Sequence, residues 1–325
     1  MFYSMGRHKR SDSVVSNQSF ITRAGSGCSM EDDYGLLETD QAQPGDEWTA
    51  IDYTDTEADQ IARERDREFS QFRDRITDAD QFKLKESVFD EATYGALYKL
   101  VQDGQIAAFG GPVSTGKEAN VYTAIGGAAA REALNESAEP TVAVKLYRIN
   151  ASDFREMGVY LEGDPRFDEI ANDKKAIVVG WVRKEFANLQ RALAAGVRVP
   201  RPLAVERNAL VMEYLGTNTG RAKRLAEVHI ENPATAYEVV REYMRRLYDA
   251  GMVHGDLSEY NIVVDESELY LIDVGQAVTV HHPNSDQFFE RDCENVASFF
   301  SRQGADVTPA ELSAYVREHA DPTPV

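Results

Sequence analysis

The stretch VHGDLSEYNIVVDESELYLIDVG, residues 253–275, decides the fold. It places Asp256 and Asn261 five positions apart, then two short strand-like runs, and then Asp273 beside Val274-Gly275. This spacing, D-x-x-x-x-N followed by a hairpin and D-x-G, is that of phosphoryl-transfer sites, in which one Asp positions the attacking hydroxyl. The Asn and the second Asp hold Mg²⁺. Two carboxylates beside a Gly turn would repel each other without a cation, so a purely structural role is disfavoured.

Upstream, an alternating strand carries a lysine that suits the same chemistry. In TVAVKLYR, residues 141–148, Lys145 shares one face with Ala143. Such a lysine is often a solvated edge residue, and a functional interpretation needs a carboxylate partner. Glu185 offers one, at the border of the apolar stripe of a helix predicted over 178–195. A Lys–Glu pair of this kind holds the lysine against the phosphates of a nucleotide.

The Gly-rich stretch GGPVSTGKEANVYTA, residues 110–124, nearly matches a P-loop. Its G-x-x-x-x-G-K spacing is followed by Glu118, where a P-loop needs the hydroxyl of Ser or Thr. The stretch also runs from one short strand into another, whereas a P-loop joins a strand to a helix. We therefore interpret it as a hairpin loop over the phosphates of a nucleotide, with Val121 under the adenine ring. The residues expected near the phosphates are Ser114, Thr115, Gly116 and Lys117.

The regular elements predict an α+β fold. Five short β-branched or aromatic runs between 105 and 216 indicate a five-stranded antiparallel sheet with one helix. The second half is mainly helical, with helices predicted at 232–251, 286–303 and 309–319. The last of these opens on a Thr308–Glu311 capping box. We expect an N-terminal tail over 1–50, extra helices over 51–104, an N-lobe over 105–215 and a reduced C-lobe over 216–325.

Composition limits the classes of function. The chain has 325 residues, and its 55 acidic against 35 basic residues give a net charge of −20. Lysine is scarce, as expected of a protein that works in very high salt, although an ordinary acidic protein is the alternative. This charge disfavours direct sequence-specific DNA binding. No apolar run is long enough for a membrane span, and the two cysteines suggest no metal site, so we expect a cytoplasmic protein.

The first 29 residues differ in composition from the rest of the chain, being rich in Ser and almost free of acidic residues. Their composition predicts disorder. Alternatively, translation begins at Met30, where the chain turns acidic.

Together these motifs resemble one family. The RIO-type atypical serine/threonine kinases, in the archaeal form of their type 1 branch, are similar over roughly residues 84–303. The stretches that carry the resemblance are STGKEANVY, VAVKLYR, KEFANLQRALAAGVRVPRP, LVMEYLG, VHGDLSEYN and LIDVGQAV. The resemblance implies a bilobal protein-kinase-like fold, ATP as cosubstrate, Mg²⁺ or Mn²⁺ as metal, and a precursor of the small ribosomal subunit as partner.

The resemblance also implies a role for each site residue. Lys145 would bind the ATP phosphates with Glu185 as its partner, and the backbones of Glu213 and Leu215 would bind adenine. Asp256 would be the catalytic acid–base, and Asn261 and Asp273 the metal ligands. In this family the aspartate that matches Asp273 is also regarded as a phosphate acceptor, which would make the enzyme an ATPase as well as a kinase.

Two other functions compete with this interpretation. HGDLSEYNI also resembles the loop of aminoglycoside-type small-molecule phosphotransferases, but only 52 residues follow Asp273 and leave little wall for a substrate pocket. A pseudokinase acting as an assembly scaffold is the other alternative, and the intact Lys145, Asp256, Asn261 and Asp273 argue against it. Detectable turnover of ATP would eliminate the scaffold.

Overall fold

A computed structural model describes residues 91–149, 160, 174–217 and 219–322. The predicted tail over 1–50 and the part of the predicted extra helices that precedes residue 91 lie outside the described residues. So does most of the segment 150–173, between the lysine strand and the following helix.

The predicted five-stranded sheet is confirmed. Its strands are β1 Ile106–Thr115, β2 Ala119–Gly126, β3 Thr141–Tyr147, β4 Pro202–Glu206 and β5 Ala209–Glu213. They lie in the order β1-β2-β3-β5-β4, and every neighbouring pair is antiparallel. β3 is therefore central, and the register places Lys145 of β3 between Val121 of β2 and Leu210 of β5.

Three helices accompany this sheet: α1 Glu91–Gln102, α2 Ala128–Leu134 and α3 Lys174–Ala194. The apolar residues of α1, among them Leu97 and Leu100, pack against one face of the sheet together with Ile106. α3 packs its Val182 and Leu189 into a second, larger apolar core, which it shares with the helices of the second half. It begins four residues before the predicted start, because its first two residues, Lys174 and Lys175, carry none of the apolar periodicity from which the helix was predicted.

α2 lies in the Ala/Glu-rich insert at residues 127–140, where no element was predicted from the sequence. The run AAAREAL is rich in strong helix formers, which explains this short helix. Asn135 ends it in a left-handed conformation, at φ 57°.

The second half is mainly helical, as expected. Its helices are α4 Pro233–Asp249, α5 Ser285–Arg302 and α6 Pro309–His319. The Asn232 side chain caps α4 by accepting from the Thr235 amide, 3.2 Å away. The capping box of α6 is confirmed, because Thr308 accepts from the Glu311 amide and Glu311 accepts from the Thr308 amide.

Short strands and two 3₁₀ turns arrange the site. The strands are β6 Gly216–Thr217, β7 Gly220–Arg221, β8 Lys223–Arg224, β9 Met252–Val253, β10 Ile262–Asp265, β11 Glu268–Leu271 and β12 Val278–Thr279, and the 3₁₀ turns are Leu225–Glu227 and Val274–Gln276. β9 pairs with β12, β11 and β8 flank β10, and β6 pairs with β7. Residues 254–261, which we call the catalytic segment because they carry the predicted acid–base Asp256, thus run from β9 to β10, and Asp273 lies just after β11.

Among the described residues, each helix is too short or too polar to cross a bilayer.

Candidate active site

A cleft of about 450 Å³ opens beneath the five-stranded sheet, within the usual range for a small-molecule site. It brings together eleven of the twelve residues that the sequence singled out: Ser114, Thr115, Gly116, Lys117, Val121, Lys145, Glu185, Glu213, Leu215, Asn261 and Asp273. The twelfth, Asp256, lies beside the cleft and is hydrogen-bonded to Asn261. Their roles stay predictions, but their convergence in one place is a property of the fold.

Lys145 is the centre of a carboxylate cluster. Its Nζ lies 2.7 and 2.9 Å from the two carboxylate oxygens of Glu185 and 2.8 Å from Oδ1 of Asp273. Burial favours the neutral lysine, but the carboxylates of Asp273 and Glu185 outweigh it and raise the pKa of Lys145 well above its ordinary value. The charge of Lys145 in turn lowers the pKa of Asp273. The cluster therefore keeps Asp273 ionised.

Tyr147 belongs to this cluster, and it was not singled out from the sequence. Its hydroxyl donates to Oε2 of Glu185, and its ring centroid lies 5.1 Å from Nζ of Lys145. Burial raises the pKa of Tyr147 well above its ordinary value, so the hydroxyl stays a neutral donor. The available signal was its position two residues after Lys145, which puts both side chains on one face of β3.

Asp256 and Asn261 are held against each other. The side-chain nitrogen Nδ2 of Asn261 lies 2.8 Å from the backbone carbonyl oxygen of Asp256 and 3.1 Å from its Oδ2. This arrangement turns Oδ1 of Asn261 away from Asp256, where it can serve as an oxygen ligand. Burial, with a smaller contribution from the charge of Asp273, raises the pKa of Asp256. A raised pKa suits a carboxylate that accepts a proton, since it increases basicity.

Helix α5 holds the backbone of the catalytic segment. Asp292, only 1% exposed, accepts hydrogen bonds from the amides of Gly255 and Leu257, each 2.8 Å away. Arg291 donates to the Gly255 carbonyl, and Asn295 donates to the Leu257 carbonyl at 3.1 Å. Burial raises the pKa of Asp292 to about 7 despite these bonds. The sequence signal for this anchor was a polar group at i, i+1 and i+4 on a predicted helix, which alone identifies no partner.

Gly255 lies where H-R-D kinases carry an arginine, and the backbone explains the glycine. Its φ is +79°, in the left-handed region, and a Cβ there would lie 2.9 Å from the carbonyl oxygen of Gln276. The catalytic segment and the turn after Asp273 therefore approach each other too closely for a side chain at this position.

Helix α3 holds the turn that comes after Asp273. Nζ of Lys184, which is fully buried, lies 3.0 Å from the Gly275 carbonyl oxygen and 2.6 Å from that of Ala277. Nδ2 of Asn188 lies 3.0 Å from the Val274 carbonyl oxygen and 3.2 Å from that of Ala277. The same helix carries Glu185, so one rigid element positions both the carboxylate that holds Lys145 and the turn 274–277, which we call the metal loop after the metal ligand predicted at Asp273. The apolar periodicity of α3 did not reveal this polar clamp.

Comparison with known proteins identifies the family. The sequence model of the RIO domain family matches residues 120–312. The RIO-type serine/threonine-protein kinase Rio1 of Haloferax volcanii is 62% identical over 88% of this chain and 96% of its own length. Rio1 of Methanocaldococcus jannaschii is 34% identical over 73% and 78%. The chain belongs to the RIO1 family of serine/threonine-protein kinases.

Solved structures of Rio2 kinase from Chaetomium thermophilum share the fold. One, described as an ADP/Mg²⁺-phosphoaspartate complex, has a TM-score of 0.53 at 22% identity and covers 70% of this chain and 66% of its own. These structures confirm the predicted protein-kinase-like fold, and the Rio1 relatives with the RIO domain match confirm the kinase activity. Family membership also favours a protein kinase over a small-molecule phosphotransferase.

The chemistry of the RIO site suits a divalent cation shared with phosphate. Among the residues described, no cluster of three or more His, Cys, Asp and Glu could hold a metal by itself. Asp273 and Asn261 offer two oxygen ligands, the donor type that Mg²⁺ prefers, and phosphate oxygens and water usually complete its shell. The residues therefore fit Mg²⁺ bound together with a nucleotide.

Proposed function

We propose that this RIO kinase is an ATP- and Mg²⁺-dependent enzyme that phosphorylates serine or threonine and also hydrolyses ATP, with Asp273 as a phosphate acceptor. The observation that carries the proposal is the contact of Lys145 with both Glu185 and Asp273 on the wall of the cleft. This contact brings together Lys145, the proposed phosphate-binding lysine, and Asp273, the proposed metal ligand, which lie 128 residues apart in the sequence.

The adenine would bind to the backbone between β5 and β6. The Glu213 amide already donates to the Arg201 carbonyl at 2.8 Å, and the Leu215 carbonyl already accepts from the Ala222 amide at 2.9 Å. We therefore assign adenine recognition to the other two groups, the Glu213 carbonyl and the Leu215 amide. Val121 and Ala143 from the sheet, with Val263 from β10, supply apolar walls for the base.

The phosphates would lie between the hairpin loop and the carboxylates. Ser114, Thr115, Gly116 and Lys117 would cover them, and Asn261 and Asp273 would hold Mg²⁺, which neutralises charge on phosphate oxygens when bound. Asp256 would take the proton of the attacking hydroxyl or water, because Asn261 fixes its carboxylate and burial makes it more basic. Lys145 would keep Asp273 ionised, as both a ligand and a nucleophile require.

Two further observations support the proposal. A structural neighbour was solved as an ADP/Mg²⁺-phosphoaspartate complex, which supports an aspartate as phosphate acceptor here. Resemblance to the RIO family supports a role in maturing the small ribosomal subunit, in the cytoplasm, with a subunit precursor as partner.

The test separates the two aspartates. Asp256→Ala should leave Mg²⁺-dependent affinity for ATP nearly unchanged while turnover falls about 100-fold or more, as for a lost acid–base group. Asp273→Ala should weaken Mg²⁺-dependent nucleotide binding as well as turnover. Glu294→Gln, an exposed carboxylate on α5, is the matched control and should change neither. Equal loss of nucleotide affinity in both aspartate variants would mean that base and metal ligand are wrongly assigned.

Labelled ATP tests the acceptor. The wild-type protein should carry a hydroxylamine-sensitive label that the Asp273 variant lacks. A label that is stable to hydroxylamine would instead indicate ordinary phosphorylation of serine or threonine and would contradict the acyl-phosphate part of the proposal.

A further inference from the structure

The donors of Lys145 are already occupied by carboxylates. An ammonium group has three N–H donors, and Nζ of Lys145 makes three contacts below 3.0 Å, two to Glu185 and one to Asp273. A nucleotide carries several negative charges on its phosphates. As long as Asp273 holds Lys145, the phosphates would therefore gain from a further cationic side chain in the cleft, besides Mg²⁺ and Lys117.

Arg224 is in place to supply it. The backbone of Arg224 on β8 pairs with that of Val263 on β10, two residues beyond Asn261. Opposed residues of an antiparallel pair present their side chains on the same face of the sheet. Both Val263 and Arg224 line the cleft, as do Asn261 and Asp273. Arg224 is thus carried to the cleft by a strand that is anchored beside the metal ligands.

Among the described residues, Arg224 lacks the close carboxylate partner that the nearby Arg221 has. Arg221 makes a two-pronged ion pair with Glu227, at 2.8 and 2.9 Å. In the part of the chain that the structure describes, the half-buried guanidinium of Arg224 forms no direct ion pair; its charge also acts on Glu227, but that carboxylate is held by Arg221.

We propose that Arg224 donates hydrogen bonds to the phosphate tail of the bound nucleotide and so adds a specificity contact to the phosphate site. This inference rests on the proposed nucleotide-binding function. A guanidinium presents a rigid fork of N–H donors that matches the oxygens of a phosphate, and such charge-assisted bonds are stronger than neutral ones.

The test compares ADP with adenosine, because only ADP has phosphates. Calorimetric titration of the full chain at one fixed concentration of KCl and one fixed, saturating concentration of Mg²⁺ measures both affinities, since screening would vary with salt. Arg224→Met should weaken ADP binding about tenfold or more, the size of a lost charge-assisted hydrogen bond, while adenosine binding stays unchanged. Arg224→Lys should recover part of the loss. Lys223→Met, the exposed neighbour on β8, is the matched control and should bind both ligands like the wild type.

The outcomes separate the two claims. If the wild type binds ADP no better than adenosine, the phosphate site itself is refuted. If the wild type prefers ADP but Arg224→Met keeps the same preference, only the role of Arg224 is refuted, and the same holds if ADP and adenosine affinities fall equally. Should Arg224→Met melt at a lower temperature than the wild type, Arg224→Gln is measured in its place, with the same expected loss for ADP.

Discussion

The two sides of the cleft are built differently. The hairpin loop at 114–117 is mostly exposed, and among the described residues the side chains of Ser114, Thr115 and Lys117 make no hydrogen bond or ion pair. The catalytic segment is buried or half-buried except at Tyr260, the turn after Asp273 is mostly buried, and side chains from α5 and α3 bind the backbone groups of both. Both sides belong to the motifs that the sequence revealed.

The difference shows how the work is divided in this site. Residues that must keep a fixed geometry need partners that leave no buried backbone group unpaired, because an unpaired buried group is costly. A loop that folds over a ligand gains from few contacts of its own, since regions with few buried contacts open at low free energy. We therefore expect large effects from anchors remote from the ligand and small effects from the loop that covers it.

Among the anchors and the covering loop, the largest effect is expected at Asp292. Asp292→Ala leaves the amides of Gly255 and Leu257 without their buried acceptor, which costs about 1–3 kcal/mol for each group. We expect a clear loss of thermal stability and a fall in kcat of about 100-fold, measured by calorimetry and ATP turnover. Glu294→Ala, exposed on the same helix, is the control. Near wild-type turnover in Asp292→Ala would mean that α5 does not support catalysis.

The pH dependence of stability should reflect the same residue. The pKa of Asp292 in the folded protein is about 7, above its ordinary value of 3.8, so between these pH values the folded state holds a proton that the unfolded state has lost. The contribution of Asp292 to the free energy of unfolding therefore falls as pH rises from about 4 to about 7, and then levels off. Asn does not titrate. The wild type should accordingly lose stability relative to Asp292→Asn over this range. The free energy of unfolding of both proteins is measured by denaturation at several pH values, and the same pH dependence in both would contradict the assignment.

A smaller effect is expected at the clamp on the metal loop. Lys184→Met keeps the length of the side chain but removes the donor to the Gly275 and Ala277 carbonyls. Because Asp273 lies two residues before Gly275, we expect Mg²⁺-dependent affinity for ATP to fall about tenfold, the size of one lost bond to a charged group. Mg²⁺ titrations of nucleotide binding measure it, with the exposed Lys99→Met as control. An unchanged Mg²⁺ dependence would mean that the turn holds its shape without Lys184.

The smallest effect is expected in the hairpin loop. Lys117→Met should raise KM for ATP by only a few-fold and leave the melting temperature unchanged, because the side chain is exposed and its contact with phosphate would be solvent-screened. Steady-state kinetics and a thermal melt measure this. A loss of kcat as large as that of Asp292→Ala would reverse the comparison between the two sides.

Prediction from sequence was strongest where the relevant residues are close in the chain. Asp256, Asn261 and Asp273 lie within one stretch of the chain. Their spacing alone predicts that they lie close together, because a loop followed by a hairpin can place the three side chains in only a few ways. The five strands were predicted from their alternating pattern and their turns. The start of α3 was placed too late and α2 was not predicted, because both depend on turns or inserts that carry little apolar periodicity.

What the sequence determined by itself is the set of chemical groups: a lysine on a strand, a glutamate on a helix, and two aspartates and an asparagine at fixed spacing. Only the tertiary structure decided which distant groups meet, such as Asp292 with Gly255 across 37 residues and Lys184 with Gly275 across 91. Periodicity shows which face of a helix is buried, but a hydrogen bond also depends on where the backbone of another segment lies. That position is set by the packing of α3 and α5 around the core, and no local pattern encodes it.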